Sequence, residues 1–204
     1  MRMNALTHEE ATAVIRTAVD NGIDYFDHAD IYGRGTSEEI FGEAFKELGI
    51  ARDSVMLQTK CGIVPGVMFD FSKEHIIASV EGSLKRLQTD YVDALLLHRP
   101  DTLMEPEEVA EAFDALHKAG KVRHFGVSNQ NPMQIELLKK AVTQPLLINQ
   151  LQLSLTHAPM IDAGFNVNMV NNPSFMHDGS VLEYSRISDM TIQPWSPFQA
   201  GNGK

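Results

Sequence analysis

Short apolar runs alternate strictly with segments of helical period along this chain. The helical period predicts helices over residues 7–21, 37–48, 72–87, 105–119, 132–142 and 179–188. Thr7 is placed to cap the first, and Gly22, Gly49 and Gly120 to stop the first, second and fourth. Pro132 stands at the favoured first turn of the fifth. Between them the runs 23–26, 55–59, 91–97, 122–127, 146–151 and 190–195 read as buried strands. Continuous apolar strands separated by amphipathic helices predict a parallel sheet covered on both faces. The segment 159–178, rich in Asn and Met and containing Asn171-Asn172-Pro173, reads as a long loop. No Pro/Gly/Ser-rich linker divides the 204 residues, which predicts one domain.

Two architectures fit such an alternation. A doubly wound dinucleotide-binding sheet should carry G-x-G-x-x-G at its first strand-to-helix turn. Gly33-Arg34-Gly35 lacks the third glycine and lies too far from a strand end. Polar residues instead gather at the C-terminal end of nearly every predicted strand: Asp27, Lys60, His98, Ser128 with Asn129, Gln150, and Trp195 with Ser196. A (β/α)8 barrel builds its site there. The expected fold is therefore a TIM-barrel type, but an incomplete one with about six of eight strands. Complete barrels run to about 250 residues.

Composition narrows the partners. The net charge of −10 argues against nucleic acid and anionic membranes. No apolar run reaches transmembrane length, and Met1-Arg2-Met3-Asn4 does not open a signal peptide. A single cysteine, Cys61, excludes an intrachain disulfide and suits a reducing compartment, so a cytoplasmic address is expected. An acidic chain that binds a polyanionic cofactor needs local help from cations or helix N-termini.

The strand-end residues suggest one chemistry. Lys60 follows an apolar run and would point into the barrel mouth, where an unpaired ammonium is costly. Asp27 ends a neighbouring run and is the obvious partner, with Tyr32 five residues beyond it. An ammonium beside a phenol favours the phenolate, which makes the hydroxyl a usable proton donor near neutral pH. His98 is placed to hydrogen-bond a substrate oxygen. Singly, each residue is more often structural: a buried ion pair, a rim tyrosine, a core histidine. Four strand ends supplying compatible groups make a proton-delivery site for a carbonyl oxygen, and the set calls for no metal.

These stretches also carry a family resemblance. Gly22-Ile23-Asp24-Tyr25-Phe26-Asp27-His28-Ala29-Asp30-Ile31-Tyr32-Gly33 resembles the first signature of the aldo-keto reductases. Leu57-Gln58-Thr59-Lys60, the run from Tyr91 through His98 to Asp101, and Gly120 through Ser128 to Asn129 are similar to the family's later motifs. Ile148-Asn149-Gln150 and Trp195-Ser196-Pro197 complete the series, which covers essentially the whole chain. His28 stands where threonine is common, and Trp195 where many members have tyrosine; with Ser196-Pro197-Phe198-Gln199 these variants resemble a bacterial oxidoreductase branch. The resemblance implies Tyr32 as general acid, Lys60 as the cation beside it, Asp27 as its anchor, and His98 orienting the carbonyl. It implies NADPH as cofactor, held by Ser128, Asn129, Gln150, Trp195, Ser196, Pro197 and Phe198, with a small carbonyl compound as substrate.

The resemblance also implies a first strand and a C-terminal cofactor-binding segment beyond the motifs present. Three explanations compete: the chain is a piece of a longer enzyme, a partner chain completes the barrel, or it is a truncated product. The first is favoured, because the chain begins and ends within motifs. Three functions remain in play. The leading one is an NADPH-dependent carbonyl reductase. The second is a nicotinamide-binding, redox-sensing subunit without turnover. The third is a barrel of other chemistry, which needs a phosphate-binding glycine loop after the last strands; Gly201-Asn202-Gly203 is weak evidence for one. Substrate choice is expected to reside in 159–178, with Val64 to Phe69 beside the pocket.

Overall fold

The computed structural model describes residues 3–175 and 179–198. Gly201-Asn202-Gly203, and Gln199 of the last motif, lie outside them. Helix α1 (His8–Asp20) opens with a reciprocal capping box between Thr7 and Glu10. It ends in a Schellman motif. The amides of Gly22 and Ile23 bond back to the carbonyls of Val19 and Ala18, with Gly22 at φ +76°. This cap takes Ile23 away from the strand expected at 23–26, so β1 begins later (Tyr25–Asp27) and includes Asp27.

The remaining elements follow the predicted alternation. They are α2 (Thr36–Glu47), β2 (Met56–Cys61), α3 (Lys73–Leu87), β5 (Val92–Leu97), α4 (Pro106–Lys118), β6 (Val122–Ser128), α5 (Pro132–Lys139) and β7 (Leu146–Gln152). Then come α7 (Val181–Ile187) and β8 (Thr191–Trp195). Between β2 and α3 sits an unpredicted hairpin, β3 (Ile63–Val64) with β4 (Met68–Phe69), whose two-residue strands are too short to show alternation. The described part of the segment expected as a long loop, residues 159–175, is not all loop. It holds α6 (Pro159–Phe165) and a 3₁₀ turn over Asn172–Ser174. Buried Met160 of α6 packs with Leu151 and Val181, so tertiary contact stabilises a helix too short to stand alone.

Six strands form one parallel sheet in the order β1-β2-β5-β6-β7-β8, with β1 and β8 as its edges. The sheet curls as in a (β/α)8 barrel. Side chains two apart on each strand share a face, and those of the concave face meet across it. Gln58 of β2 bonds Gln193 of β8, although three strands lie between. The convex face packs on the helices, with Leu57, Leu95, Leu97, Phe125 and Val127 in the main core. Ala94, Leu96 and Ile148 form a separate small apolar layer. Gly126 lies beside that layer, where a Cβ would stand 2.6 Å from the Ile148 carbonyl and 2.7 Å from Leu96. Among the described residues no helix is long and apolar enough to cross a membrane.

Candidate active site

Each predicted residue reaches the C-terminal rim of the sheet by simple register. The β1 chain continues alongside β2, with the His28 amide bonding Gln58 O and the Asp30 amide bonding Lys60 O. Ser128 pairs with Gln150, Gln150 with Gln193, and Gln152 with Trp195. The amide of His98 bonds Cys61 O, which sets the imidazole one step past Lys60. Tyr32 opens the turn Tyr32–Gly35, in which Gly33, Arg34 and Gly35 all have positive φ (60°, 57° and 96°). Two of the three are glycine, the residue that accepts this conformation without strain. The Gly-x-Gly pattern thus serves a sharp turn presenting Tyr32.

Lys60 is fully buried, and its ammonium lies 2.8 Å from the Asp27 carboxylate, 2.7 Å from His28 O and 3.3 Å from Tyr32 Oη. One cation is thus shared between a carboxylate, a carbonyl and a phenol. Burial alone would raise the Asp27 carboxyl. The Lys60 charge and hydrogen bond, with the Gln58 amide, outweigh it and hold the carboxyl below the usual range. The His98 ring meets the Tyr32 ring edge-on, with centroids 5.8 Å apart. His28, the unusual residue of the first motif, is buried against Phe41. Burial and the nearby Lys60 charge push its imidazole well below its ordinary value, so it stays neutral.

A cavity of about 550 Å³ opens over this group. Its walls include Asp27, Tyr32, His98, Ser128, Asn129, Gln150, Trp195, Ser196 and Pro197. Phe198 is 96% exposed and Val64 to Phe69 lie elsewhere, so neither forms part of the wall. The Trp195 indole N–H donates to Asn129 Oδ1 at 3.0 Å, and Asn129 Nδ2 donates to Ser128 Oγ at 2.8 Å. Asn129 takes φ +58°, tolerable for asparagine, and this turns its amide toward Trp195.

Beneath the rim lies a polar layer that the strand-end reading missed. The Tyr25 hydroxyl donates to Gln58 (2.7 Å), and Gln58 donates to Asp27 (2.6 Å) and Gln193 (2.9 Å). Gln193 donates to Tyr25 (3.1 Å), and Gln150 donates to Asp27 (3.1 Å). Tyr25, Gln58 and Gln193 each precede a recognised residue (Asp27, Lys60, Trp195) by two positions on its own strand. Period-two spacing would have found them. Gln58 and Gln150 donate directly to the Asp27 carboxylate, and Tyr25 and Gln193 hold Gln58 in place.

A second buried acid group lies behind the site. Glu38 is fully buried, bonding Thr59 Oγ1 (2.6 Å) and Arg86 Nε (2.8 Å). Burial, then the Glu38 charge, push Asp30 up to about 7, against the opposing pull of Arg86. The ordinary aspartate value is about 3.9. The folded state therefore holds an extra proton between those values, and the stability this group contributes is lost as pH rises from about 4 to about 7. Asp30→Asn should remove that slope. Its melting temperature relative to wild type should rise between pH 5 and pH 8, and an unchanged difference would contradict the assignment. Cys61 is buried, and burial with the Asp30 charge pushes its thiol well above the ordinary value, so it is no nucleophile.

The sequence profile of the aldo/keto reductase family matches residues 1–201. The chain belongs to the aldo/keto reductase family. It is 44% identical to the oxidoreductase YcsN of Bacillus subtilis, covering 98% of this chain and 65% of YcsN. It is 41% identical to the oxidoreductase YdhF of Escherichia coli, covering 76% and 55%. A Schizosaccharomyces pombe relative carrying the name voltage-gated potassium channel subunit beta is 34% identical over 95% of this chain and 54% of its own length. Among solved structures, an aldo/keto reductase from Klebsiella pneumoniae in complex with NADP and acetate superposes with a TM-score of 0.73. It is 26% identical, and the match covers 93% of this chain and 58% of that one. The chain therefore spans somewhat over half the length of these relatives. The bacterial members bear out the resemblance to a bacterial aldo-keto reductase branch.

Proposed function

We propose that this chain carries the catalytic site of an NADPH-dependent reductase of aldehydes or ketones. The observation that carries the reading is the fully buried Lys60 ammonium, held between the Asp27 carboxylate at 2.8 Å and Tyr32 Oη at 3.3 Å. Asp27 balances the Lys60 charge, and Lys60 stabilises the phenolate that remains when Tyr32 gives its proton to a carbonyl oxygen. His98, edge-on to Tyr32, orients that oxygen. The fit to a nicotinamide rests on the donor set. Ser128, Asn129 and Gln150 present hydroxyl and amide groups to one cavity, as carboxamide recognition requires, and Trp195 gives a flat aromatic wall locked by its bond to Asn129. Ser196 and Pro197 continue the wall. When bound, the cofactor supplies the hydride. The choice of NADPH is supported by the NADP held in the Klebsiella relative.

The test is consumption of reduced nicotinamide by the purified chain against a panel of aldehydes and ketones. Consumption that matches alcohol formed is the expected result, and none with any carbonyl overturns the reading. The relative named as a channel subunit favours a second reading, a nicotinamide-binding subunit without turnover. Tight cofactor binding with no reduction of any carbonyl would favour it.

A further inference from the structure

The cavity over the site is bordered by two charged side chains, and only one is committed. Asp27 is tied to Lys60 and two glutamines. Arg99, the residue after His98, also lines this cavity and is exposed. Some arginines of this acidic chain are matched within the fold, while among the described residues Arg16, Arg34 and Arg186 lack a carboxylate partner within 4.0 Å but do not line this cavity. Arg52 and Arg123 reach Asp93 at 2.7 and 3.0 Å, and Arg86 reaches Glu38 at 2.8 Å. Among the described residues no carboxylate lies within 4.0 Å of the Arg99 guanidinium. The mouth thus presents one uncommitted, planar cation next to the residue that faces a substrate oxygen.

A guanidinium presents paired N–H donors that match a carboxylate in bidentate fashion. The cavity is also bounded by Pro194, Trp195 and Pro197, an apolar wall suited to a short hydrocarbon or ring. A single arginine matches one negative charge better than the two of a phosphate monoester. We propose that Arg99 is a specificity-determining residue that selects carbonyl substrates bearing a carboxylate. This rests on the reductase reading for what happens to the bound carbonyl, but not for the binding itself.

The test compares 4-carboxybenzaldehyde with its neutral counterpart, methyl 4-formylbenzoate. Each is titrated calorimetrically into wild-type protein, Arg99→Gln and Arg99→Lys at low ionic strength without cofactor, so that the readout is independent of turnover. Wild type should bind the carboxylate about tenfold tighter than the ester, the scale of a charge-assisted hydrogen-bond pair. Arg99→Gln should erase that preference while binding the ester unchanged. Arg99→Lys, which keeps charge but loses the planar fork, should retain part of it. No preference in wild type, preference surviving in Arg99→Gln, or equal weakening of both compounds would each overturn the proposal. Equal weakening is the pattern expected if Arg99 is only a wall residue. Weaker NADPH binding by Arg99→Gln without a change in carboxylate preference would place the guanidinium on a cofactor phosphate instead, and also overturns it. Selective binding by wild type without reduction of either aldehyde, in the presence of NADPH, overturns the reductase reading alone.

Discussion

Tyr32→Phe is expected to lower kcat for every carbonyl substrate by about 10²–10⁴, the range attributed to a positioned proton donor. The substitution removes only the hydroxyl that stands 3.3 Å from Lys60 Nζ. The ring that meets His98 edge-on remains, so the fold and the cofactor dissociation constant should be unchanged. Steady-state turnover measured beside a cofactor titration separates the two effects. Unaltered turnover would remove Tyr32 from the chemistry. Parallel loss of cofactor binding would make its role one of shape.

Lys60→Met should carry the largest stability effect of any single change at the site. The ammonium is fully buried, and its removal leaves the Asp27 carboxylate facing the polar layer without its cation. Breaking a buried pair costs about 3–5 kcal/mol. The lower end is expected here, because Asp27 also borders the open cavity and keeps hydrogen bonds from Gln58 and Gln150. Adding Asp27→Asn should recover most of that loss, since the amide needs no counter-charge, yet turnover should stay as low as in Lys60→Met. Urea midpoints of the two single variants and the double variant give the coupling directly. Additive midpoints would show that the Asp27–Lys60 contact contributes little to folding.

Much of this arrangement was visible in the sequence because it depends on strand ends. Parallel strands bring their C-terminal residues to one rim, so Asp27, Lys60, His98, Ser128 and Gln150 could be grouped without knowing any distance. What escaped depended on contacts between segments far apart in the chain. The Gln58–Gln193 bond joins residues 135 apart, and nothing local marks either as a partner for the other. Helix α6 was hidden because its segment has few helix signals, and its stability comes from Met160 seating on Leu151 and Val181. The start of β1 moved because the Schellman cap after α1 claimed Ile23, a competition between neighbours that periodicity does not weigh. Nothing local marks Arg99, which follows the histidine in an exposed position; its place in the cavity wall appears only in the folded chain.

The central claim is that these residues form a nicotinamide site over a proton-donating tyrosine. It is tested most directly by titrating NADPH against the fluorescence of Trp195, the only tryptophan in the chain and a wall of the cavity. The account predicts saturable quenching, and loss of that quenching when Asn129→Ala frees the indole from its hydrogen bond and opens the wall. Fluorescence unchanged at any NADPH concentration, in protein shown to be folded, would contradict it.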